Sequence, residues 1–178
     1  MKSRIISISA ISASLVALCL TLGSYVSFVD VFCTIIASVF VILPLYYKSF
    51  KGCFLTYLAG GLVATLASLP SLAYSFVLPA YFIFFGLFPI IRNLLSHKNV
   101  NKVLSFFIGL VWCVVSLYAV YFYYVLVLGL NLSDLPFVVE KYILIFIGVF
   151  SVVFYLIYDR FIFVVKLVMD RYLKKIIK

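Results

Sequence analysis

Long apolar runs, separated by short polar or charged stretches, dominate the chain from its beginning to its end. A transmembrane helix needs about 20 mainly apolar residues, with a lower limit of about 17, and six runs reach that range. They cover residues 5–28, 31–47, 52–68, 72–91, 103–130 and 142–165. The pattern therefore predicts an all-α, polytopic membrane protein in which residues 1–178 form a single domain of six transmembrane helices.

The last apolar run changes character after Asp159, where basic residues begin to recur at nearly helical spacing with apolar residues between them. This pattern predicts a basic amphipathic C-terminal extension over residues 160–178, which lies at the membrane surface. One interpretation is an anchor that is attracted by anionic lipid. The other is a docking element for a cytoplasmic partner.

Composition supports the membrane class and argues against nucleic-acid binding. Of the 178 residues, 67% are hydrophobic and 11% are charged, whereas an average soluble domain has about 25% charged residues. The net charge of +9 would suit a nucleic-acid partner. However, the charges stand at the ends of apolar runs and form no patch with interleaved aromatic residues. We therefore expect the lipid bilayer, and no nucleic acid, as a partner.

The distribution of lysine and arginine sets the orientation. With the N-terminus in the cytoplasm, thirteen of the fourteen basic residues fall on the cytoplasmic side, as the positive-inside rule requires. Lys141 is the exception, and it falls outside together with Asp30, Asp134 and Glu140. Both termini are therefore predicted to be cytoplasmic. The first apolar run exceeds the 7–15 residues of a signal peptide, so we expect it to be a retained span.

The sequence offers little reactive chemistry. His97 is the single histidine and lies in a basic loop, and the four cysteines lie in four different apolar runs without a Cys-x-x-Cys pair. There is no nucleophile elbow, His-Glu-x-x-His pair or phosphate-binding loop. Ionisable residues are absent from the centre of every predicted span, which disfavours an ion-coupled carrier, a channel and an independent flippase. We expect no enzyme activity, no cofactor and no metal site.

The first predicted span carries a face of small side chains, in the stretch SISAISASLVALCLTLGS. Small faces let membrane helices approach closely. The tightest part of this face consists of Ala10, Ala13, Ser14 and Ala17. Two interpretations remain open: packing inside the chain's own bundle, or a docking surface for a second protein. Gly60 and Ala64 in the third span form a similar pair, for which we expect packing.

Aromatic residues make up 19% of the chain, and many tyrosines fall towards the predicted outer side. Tyrosine is common at membrane interfaces, so a simple interfacial girdle is one interpretation. The other is an outward-facing pocket for a flat or amphipathic small molecule, with a few polar groups that fix its orientation. The candidate ligand-binding residues are Asp30, Tyr74, Tyr118, Tyr121 and Asn131.

In general build the chain resembles the substrate-binding S component of an energy-coupling-factor (ECF) transporter. The opening MKSRIISISAISASLVAL is similar to the short basic stretch and Ala-x-x-x-Ala first helix of those proteins, with Ala13 and Ala17 as the pair. The resemblance implies a small-molecule ligand, often a vitamin or a metal, that is bound from outside. It also implies a membrane coupling protein that docks on the first helix, and two separate ATPase subunits.

A second resemblance is local. FFGLFPIIRNLL is similar to a Phe-Gly-aromatic-Tyr-Pro-Ile-Ile-Lys stretch of small uncharacterised membrane proteins from Gram-positive bacteria. In those proteins a glutamate often follows the basic residue a turn later, whereas Ser96 and His97 stand in that region here. The stretch predicts a Gly-Pro-marked exit from the fourth span.

Two hypotheses for function follow. The leading one is the substrate-binding subunit of an ECF-type importer, a multi-pass protein of a bacterial plasma membrane. The alternative is a non-transporting structural or regulatory membrane subunit that binds a partner protein.

Overall fold

The computed structural model of the chain describes residues 2–26, 28–47, 49–69, 76–97, 101–126, 129 and 137–176, and these residues form helices joined by short connections without any β-strand. Helix α4 has three consecutive segments, which are treated below, and α2 continues into a 3₁₀ turn, Leu43–Tyr47. The helices are α1 (Lys2–Tyr25), α2 (Asp30–Ile42), α3 (Phe50–Ala67), α4 (77–97), α5 (Lys102–Leu126) and α6 (Phe137–Ile176).

Five helices in the described part of the chain are long and apolar enough to cross a membrane. They contain the segments Ser3–Tyr25, Phe50–Ala67, Val77–Leu95, Val103–Leu126 and Tyr142–Met169. The remaining helix, α2 with part of its 3₁₀ turn, is a shorter apolar segment, Asp30–Leu45. These helices agree with the predicted class of all-α membrane protein. The number of six spans and the cytoplasmic position of both termini stay predictions.

Helix α1 packs on α3 through a close contact between small residues. Ser9, Ser12 and Val16 of α1 are buried, and so are Gly60 and Ala64 of α3. A β-carbon added at Gly60 would lie only 2.6 Å from a methyl carbon of Val16, so the two backbones are as close as glycine allows. The expected packing role of the Gly60–Ala64 pair is therefore what the structure shows, and dispersion contacts of this kind stabilise helix pairs in lipid.

Helix α2 ends where Pro44 interrupts the regular hydrogen-bond ladder. Proline has no backbone N–H, and a 3₁₀ turn replaces the α-helix from Leu43 onward. The next helix begins at once, because the Ser49 hydroxyl accepts a hydrogen bond from the Gly52 N–H (3.0 Å) and so caps α3. This connection keeps α2 and α3 adjacent and brings the start of α3 against α1.

Helices α5 and α6 form a second closely packed pair. The Tyr155 hydroxyl donates to the Phe106 carbonyl (3.0 Å), and the Tyr118 hydroxyl donates to the Leu144 carbonyl (2.7 Å). Gly109 makes room for the Tyr155 ring, since a β-carbon there would lie 2.6 Å from the tyrosine hydroxyl oxygen. The two hydrogen bonds fix the register of α5 against α6 along most of the pair.

Helix α6 is 40 residues long and continues without a break from Phe137 to Ile176. At 1.5 Å per residue it is about 60 Å long, twice the thickness of the hydrocarbon core. The C-terminal extension predicted for residues 160–178 is therefore a direct helical continuation of the last span as far as Ile176. Its position at the membrane surface stays a prediction.

Candidate functional site

The fourth helix is the most irregular helix of the described chain. An α-helical turn, Val77–Ala80, leads into a π-helical segment, Tyr81–Phe85, and regular α-helix resumes over Phe88–His97. The predicted span of 72–91 therefore differs from the observed helix: residues 72–75 lie outside the described residues, and the helix runs on to His97. Pro89 does not end it, because proline is tolerated in the first turn of the Phe88–His97 segment.

The π-helical segment is held against α3 by two tyrosines. The Tyr57 hydroxyl donates to the Phe82 carbonyl (2.9 Å), and the Tyr81 hydroxyl donates in return to the Tyr57 carbonyl (3.2 Å). Gly86 leaves room for the Tyr57 ring, because a β-carbon at that position would clash with the ring carbons. The glycine of FFGLFPII is thus required by a close approach between helices.

The phenylalanines of the same stretch, Phe84, Phe85 and Phe88, pack against α6. We call the resulting group the aromatic cluster. Ring centroids are 5.2 Å apart for Phe88 and Tyr158, and 5.3 Å apart for Phe84 and Tyr158. The members of the aromatic cluster are Phe84, Phe85, Phe88, Phe154, Tyr155 and Tyr158. These contacts make FFGLFPII part of the protein core and tie α4 to α6.

One helical turn after the aromatic cluster, Arg92 joins three helices. Its guanidinium binds the Asp159 carboxylate through two nitrogens, at 2.8 Å from Nε and 3.1 Å from Nη2. The remaining nitrogen, Nη1, donates to the Ser105 hydroxyl at the start of α5. We call these three residues the Arg92 cluster. Its two charged side chains are half-buried, at 30% exposure for Arg92 and 18% for Asp159, so each charge is partly desolvated but paired.

A second polar contact reinforces this junction. The Lys166 ammonium group donates to the side-chain carbonyl oxygen of Asn93 at 3.0 Å. Lys166 lies two helical turns beyond Asp159, so both contacts come from one side of α6. The C-terminal part of α4 is therefore fixed to α6 by two neighbouring residues, Arg92 and Asn93.

The predicted docking residues of α1 do not share one environment. Ala17 is buried in the chain's own bundle, at 7% exposure, and Ala13 is half-buried. Ala10 and Ser14 are exposed on the outside of the bundle. The Ser14 hydroxyl donates to the Ala10 carbonyl (3.1 Å), so this exposed strip offers a smooth surface with its polar group already satisfied. Docking at these residues stays a prediction.

The predicted ligand-binding residues are described only in part. Tyr74 and Asn131 lie outside the described residues. The Tyr118 hydroxyl already donates a hydrogen bond to the Leu144 carbonyl of α6. Tyr121 is half-buried, and its ring lies edge-on to the ring of Phe122, with the ring centroids 5.5 Å apart. The Asp30 carboxylate accepts a hydrogen bond from the Val31 N–H at the start of α2. Among the described residues, no hydrogen bond or ring contact joins Asp30, Tyr118 and Tyr121 to one another.

Another tyrosine, Tyr124, which sequence reasoning did not single out for this role, has a buried hydroxyl that is unpaired within the described chain. The Tyr124 ring stacks on Phe76 (centroids 6.1 Å apart), and its buried hydroxyl has no hydrogen-bond partner among the described residues. The Asp30 carboxylate lies within electrostatic range of this hydroxyl. A density of tyrosines near position 121 was the only signal in the sequence, and it did not distinguish Tyr124 from its neighbours.

The Arg92 cluster was equally hard to anticipate, because its members lie 13 and 67 residues apart along the chain. Sequence analysis placed both Arg92 and Asp159 at the inner side of the membrane, and a shared depth is compatible with many pairings.

No group of three metal-binding side chains occurs within the described ranges. In comparisons with known proteins, no protein-family model, no curated protein and no solved structure matches the chain.

Proposed function

We propose that the protein is the substrate-binding membrane subunit of an ECF-type importer in a bacterial plasma membrane. It would bind a small molecule from outside and depend on a separate membrane coupling protein and separate ATPase subunits. Six spans with both termini in the cytoplasm suit this proposal. The Arg92–Asp159 ion pair supports that topology, because it requires Arg92 of α4 and Asp159 of α6, both predicted on the inner side, to lie at the same depth.

The observation that carries the proposal is the environment of Tyr124. A buried hydroxyl that pairs with no described atom retains the capacity to donate a hydrogen bond, and burying it unpaired costs about 1–3 kcal/mol. Asp30 adds a negative charge nearby, and the Phe76 ring adds an apolar surface. This combination suits a flat or amphipathic molecule that carries a hydrogen-bonding or cationic group.

The surface of α1 supports the second part of the proposal, which is a docked partner. The side of α1 with Ser9, Ser12 and Val16 is buried by the chain itself, whereas Ala10 and Ser14 are left uncovered. An exposed small-residue strip permits close approach by a helix of another protein. Lipid alone gains nothing from small side chains at these positions.

The ligand part of the proposal is tested with the purified protein in lipid nanodiscs. Native mass spectrometry of the wild type is expected to show a retained small molecule, and Tyr124→Phe is expected to lower its occupancy. Tyr123→Phe is the matched control, because it also removes a tyrosine hydroxyl from α5, at a position that is not a ligand-binding candidate. Equal occupancy in all three proteins, or no retained molecule in any of them, would contradict the ligand site.

The partner part is tested by purification of a tagged chain from its native host in mild detergent. We expect a membrane coupling protein and an ATPase to co-purify, and Ala10→Leu to abolish their recovery without affecting membrane insertion. Val111→Leu, on the exposed side of α5, is the control. Full recovery of the partners with Ala10→Leu would remove the docking role of this strip.

The alternative function is that of a structural or regulatory subunit without transport, and the inner half of the bundle favours it. There the aromatic cluster fills the space between α4 and α6, and the Arg92 cluster lies next to it on the side predicted to be cytoplasmic. A subunit of this kind would retain a partner protein through Ala10 while binding no small molecule. The two experiments above therefore separate the two functions.

A further inference from the structure

We infer that the small molecule bound at the outer end of the bundle is an organic cation, with an ammonium or similar group paired to Asp30 and an apolar body against Phe76 and Tyr124. The inference rests on the proposed function, since it names the chemical class of the ligand proposed for the Tyr124 environment. Two further features of the structure carry it: the meeting of helices around Gly23, and the distribution of charge between the two ends of the bundle.

Three helices meet at Gly23 of α1. A β-carbon added there would lie 3.5 Å from the Asp30 α-carbon and 3.0 Å from the Cys33 β-carbon, both in α2. It would also lie 3.3 Å from a methyl carbon of Val77, at the start of α4. Gly23 is itself buried, so α1 meets the first turns of α2 and α4 without an intervening side chain. Asp30 is therefore held at a junction of three helices.

Helix α5 joins this junction through Phe76, the residue that precedes Val77. The Phe76 ring stacks on the Tyr124 ring of α5, with an angle of 26° between the ring planes. The Tyr124 hydroxyl is buried, has no hydrogen-bond partner in the described part of the chain, and lies within electrostatic range of Asp30. A carboxylate, an unsatisfied hydroxyl and two aromatic rings thus surround the place where four helices come together.

The charge of Asp30 is not neutralised by the described residues. Its half-buried carboxylate accepts a hydrogen bond from the Val31 N–H and takes part in no ion pair within the described ranges. Asp159 at the other end of the bundle is different, because the Arg92 guanidinium binds it directly. A half-buried carboxylate without a counter-charge attracts a cation more strongly than one in bulk water.

The basic residues of the contributing helices lie far from the junction. At 1.5 Å per residue, Arg4 is about 28 Å from Gly23 along α1, and Lys102 is about 33 Å from Tyr124 along α5. The charged residues predicted on the outer side are three acids and one base: Asp30, Asp134, Glu140 and Lys141. A net negative end attracts cations and repels anions, and aromatic rings add a cation–π attraction. The junction therefore favours a cationic ligand over a neutral or anionic one.

Three probes of the same shape and different charge test the inference: naphthylmethylammonium, naphthylmethanol and naphthoate. Their binding to the full-length protein is measured by equilibrium dialysis in nanodiscs of zwitterionic phosphatidylcholine at neutral pH, and binding to empty nanodiscs is subtracted. We expect the cation to bind about tenfold more tightly than the neutral probe, and the anion to bind most weakly.

Two variants of one residue show whether Asp30 is the source of this preference. Asp30→Asn keeps an acceptor oxygen for the Val31 N–H but removes the charge, so it should lower the affinity for the cation about tenfold and leave the neutral probe unchanged. Asp30→Glu is the matched control, because it keeps the charge and should keep the preference. Equal affinities for the three probes in the wild type, or an unchanged preference in Asp30→Asn, would overturn the inference.

The molecule retained in the native mass spectrometry experiment gives a second measurement. Once released at neutral pH, it should migrate as a cation in capillary electrophoresis. A retained molecule that migrates as an anion or a neutral species would leave the proposed function standing and overturn the charge assigned to its ligand. If the wild type retains no molecule and binds none of the probes, the proposed ligand site fails together with this inference.

Discussion

The contact between α1 and α3 gives a sharp prediction, because one added methyl group should reverse the usual effect of a helical substitution. Replacing glycine by alanine inside a helix normally stabilises it by about 0.5–1 kcal/mol. At Gly60, however, the new carbon would lie 2.6 Å and 2.8 Å from two carbons of Val16 and 3.1 Å from the Ala13 carbonyl oxygen. Two of these three atoms, the Val16 β-carbon and the carbonyl oxygen, belong to parts of α1 that no rotamer change can move.

The size of the effect follows from these distances. Carbon atoms in contact prefer a separation of about 3.5–4.0 Å, so α1 and α3 must move apart by about 1 Å along their contact. Overpacking of this kind costs about 1–3 kcal/mol. After subtraction of the helical gain, we expect Gly60→Ala to lower the free energy of unfolding by about 1–2 kcal/mol.

Gly148→Ala provides the matched control on α6. A β-carbon there would meet only the Tyr118 hydroxyl, at 3.3 Å, so most of the helical gain should remain. Thermal unfolding in detergent, followed by the fluorescence of the single tryptophan, Trp112, measures both variants. One kcal/mol corresponds to about 2–4 °C for a chain of this length. The midpoint should therefore fall by about 2–8 °C for Gly60→Ala and rise slightly for Gly148→Ala.

The reasoning is refuted if Gly60→Ala is as stable as Gly148→Ala or more stable. That result would mean that α1 and α3 are farther apart than the structure places them. A second variant sharpens the conclusion: Val16→Ala removes the methyl carbon at 2.6 Å but keeps the β-carbon at 2.8 Å. The double variant Gly60→Ala, Val16→Ala should therefore be less destabilised than the sum of the two single changes.

Two further predictions concern polar contacts. Arg92→Gln and Asp159→Asn should each lower the free energy of unfolding by about 1.5–3 kcal/mol, since each leaves a half-buried charged partner without its ion pair. In a double-mutant cycle the two losses should be less than additive. Strict additivity would show that the two side chains do not interact. Tyr118→Phe should cost about 1 kcal/mol through the lost bond to the Leu144 carbonyl. An equal loss with Tyr121→Phe would show that the aromatic ring environment, and not this bond, matters.

Long apolar runs predicted the positions of most helices well, because a span needs about 20 mainly apolar residues and that requirement is visible in continuous stretches of sequence. The predicted third span, 52–68, nearly coincides with Phe50–Ala67, and the second, 31–47, coincides with α2 and its 3₁₀ turn. The fourth helix was predicted less well. Pro79 and Pro89 look like boundaries in sequence, yet both lie inside α4, where neighbouring helices supply the contacts that hold it together.

The candidate site was less predictable, since it depends on pairings between distant helices. Small residues of α1 lie on more than one side of the helix, and nothing in their spacing tells that Ser9 faces α3 while Ala10 and Ser14 face outwards. The side of α1 that is buried depends on α3, where Gly52 and Gly60 leave room for α1 to approach closely. The role of FFGLFPIIRN could not be predicted for the same reason, because it depends on contacts with Tyr57 of α3 and Asp159 of α6.

The unbroken length of α6 has a mechanical consequence. If a helix of about 60 Å tilts by about 10° about its N-terminal end, its C-terminal end moves by roughly 10 Å. Arg92 and Asn93 of α4 bind this helix partway along its length, at Asp159 and Lys166. Any movement of the segment Phe88–His97 is therefore passed to α6 at these two residues. A displacement of α6 at Asp159 would therefore move the basic C-terminal end of the helix nearly twice as far, since Asp159 lies a little beyond the middle of the helix.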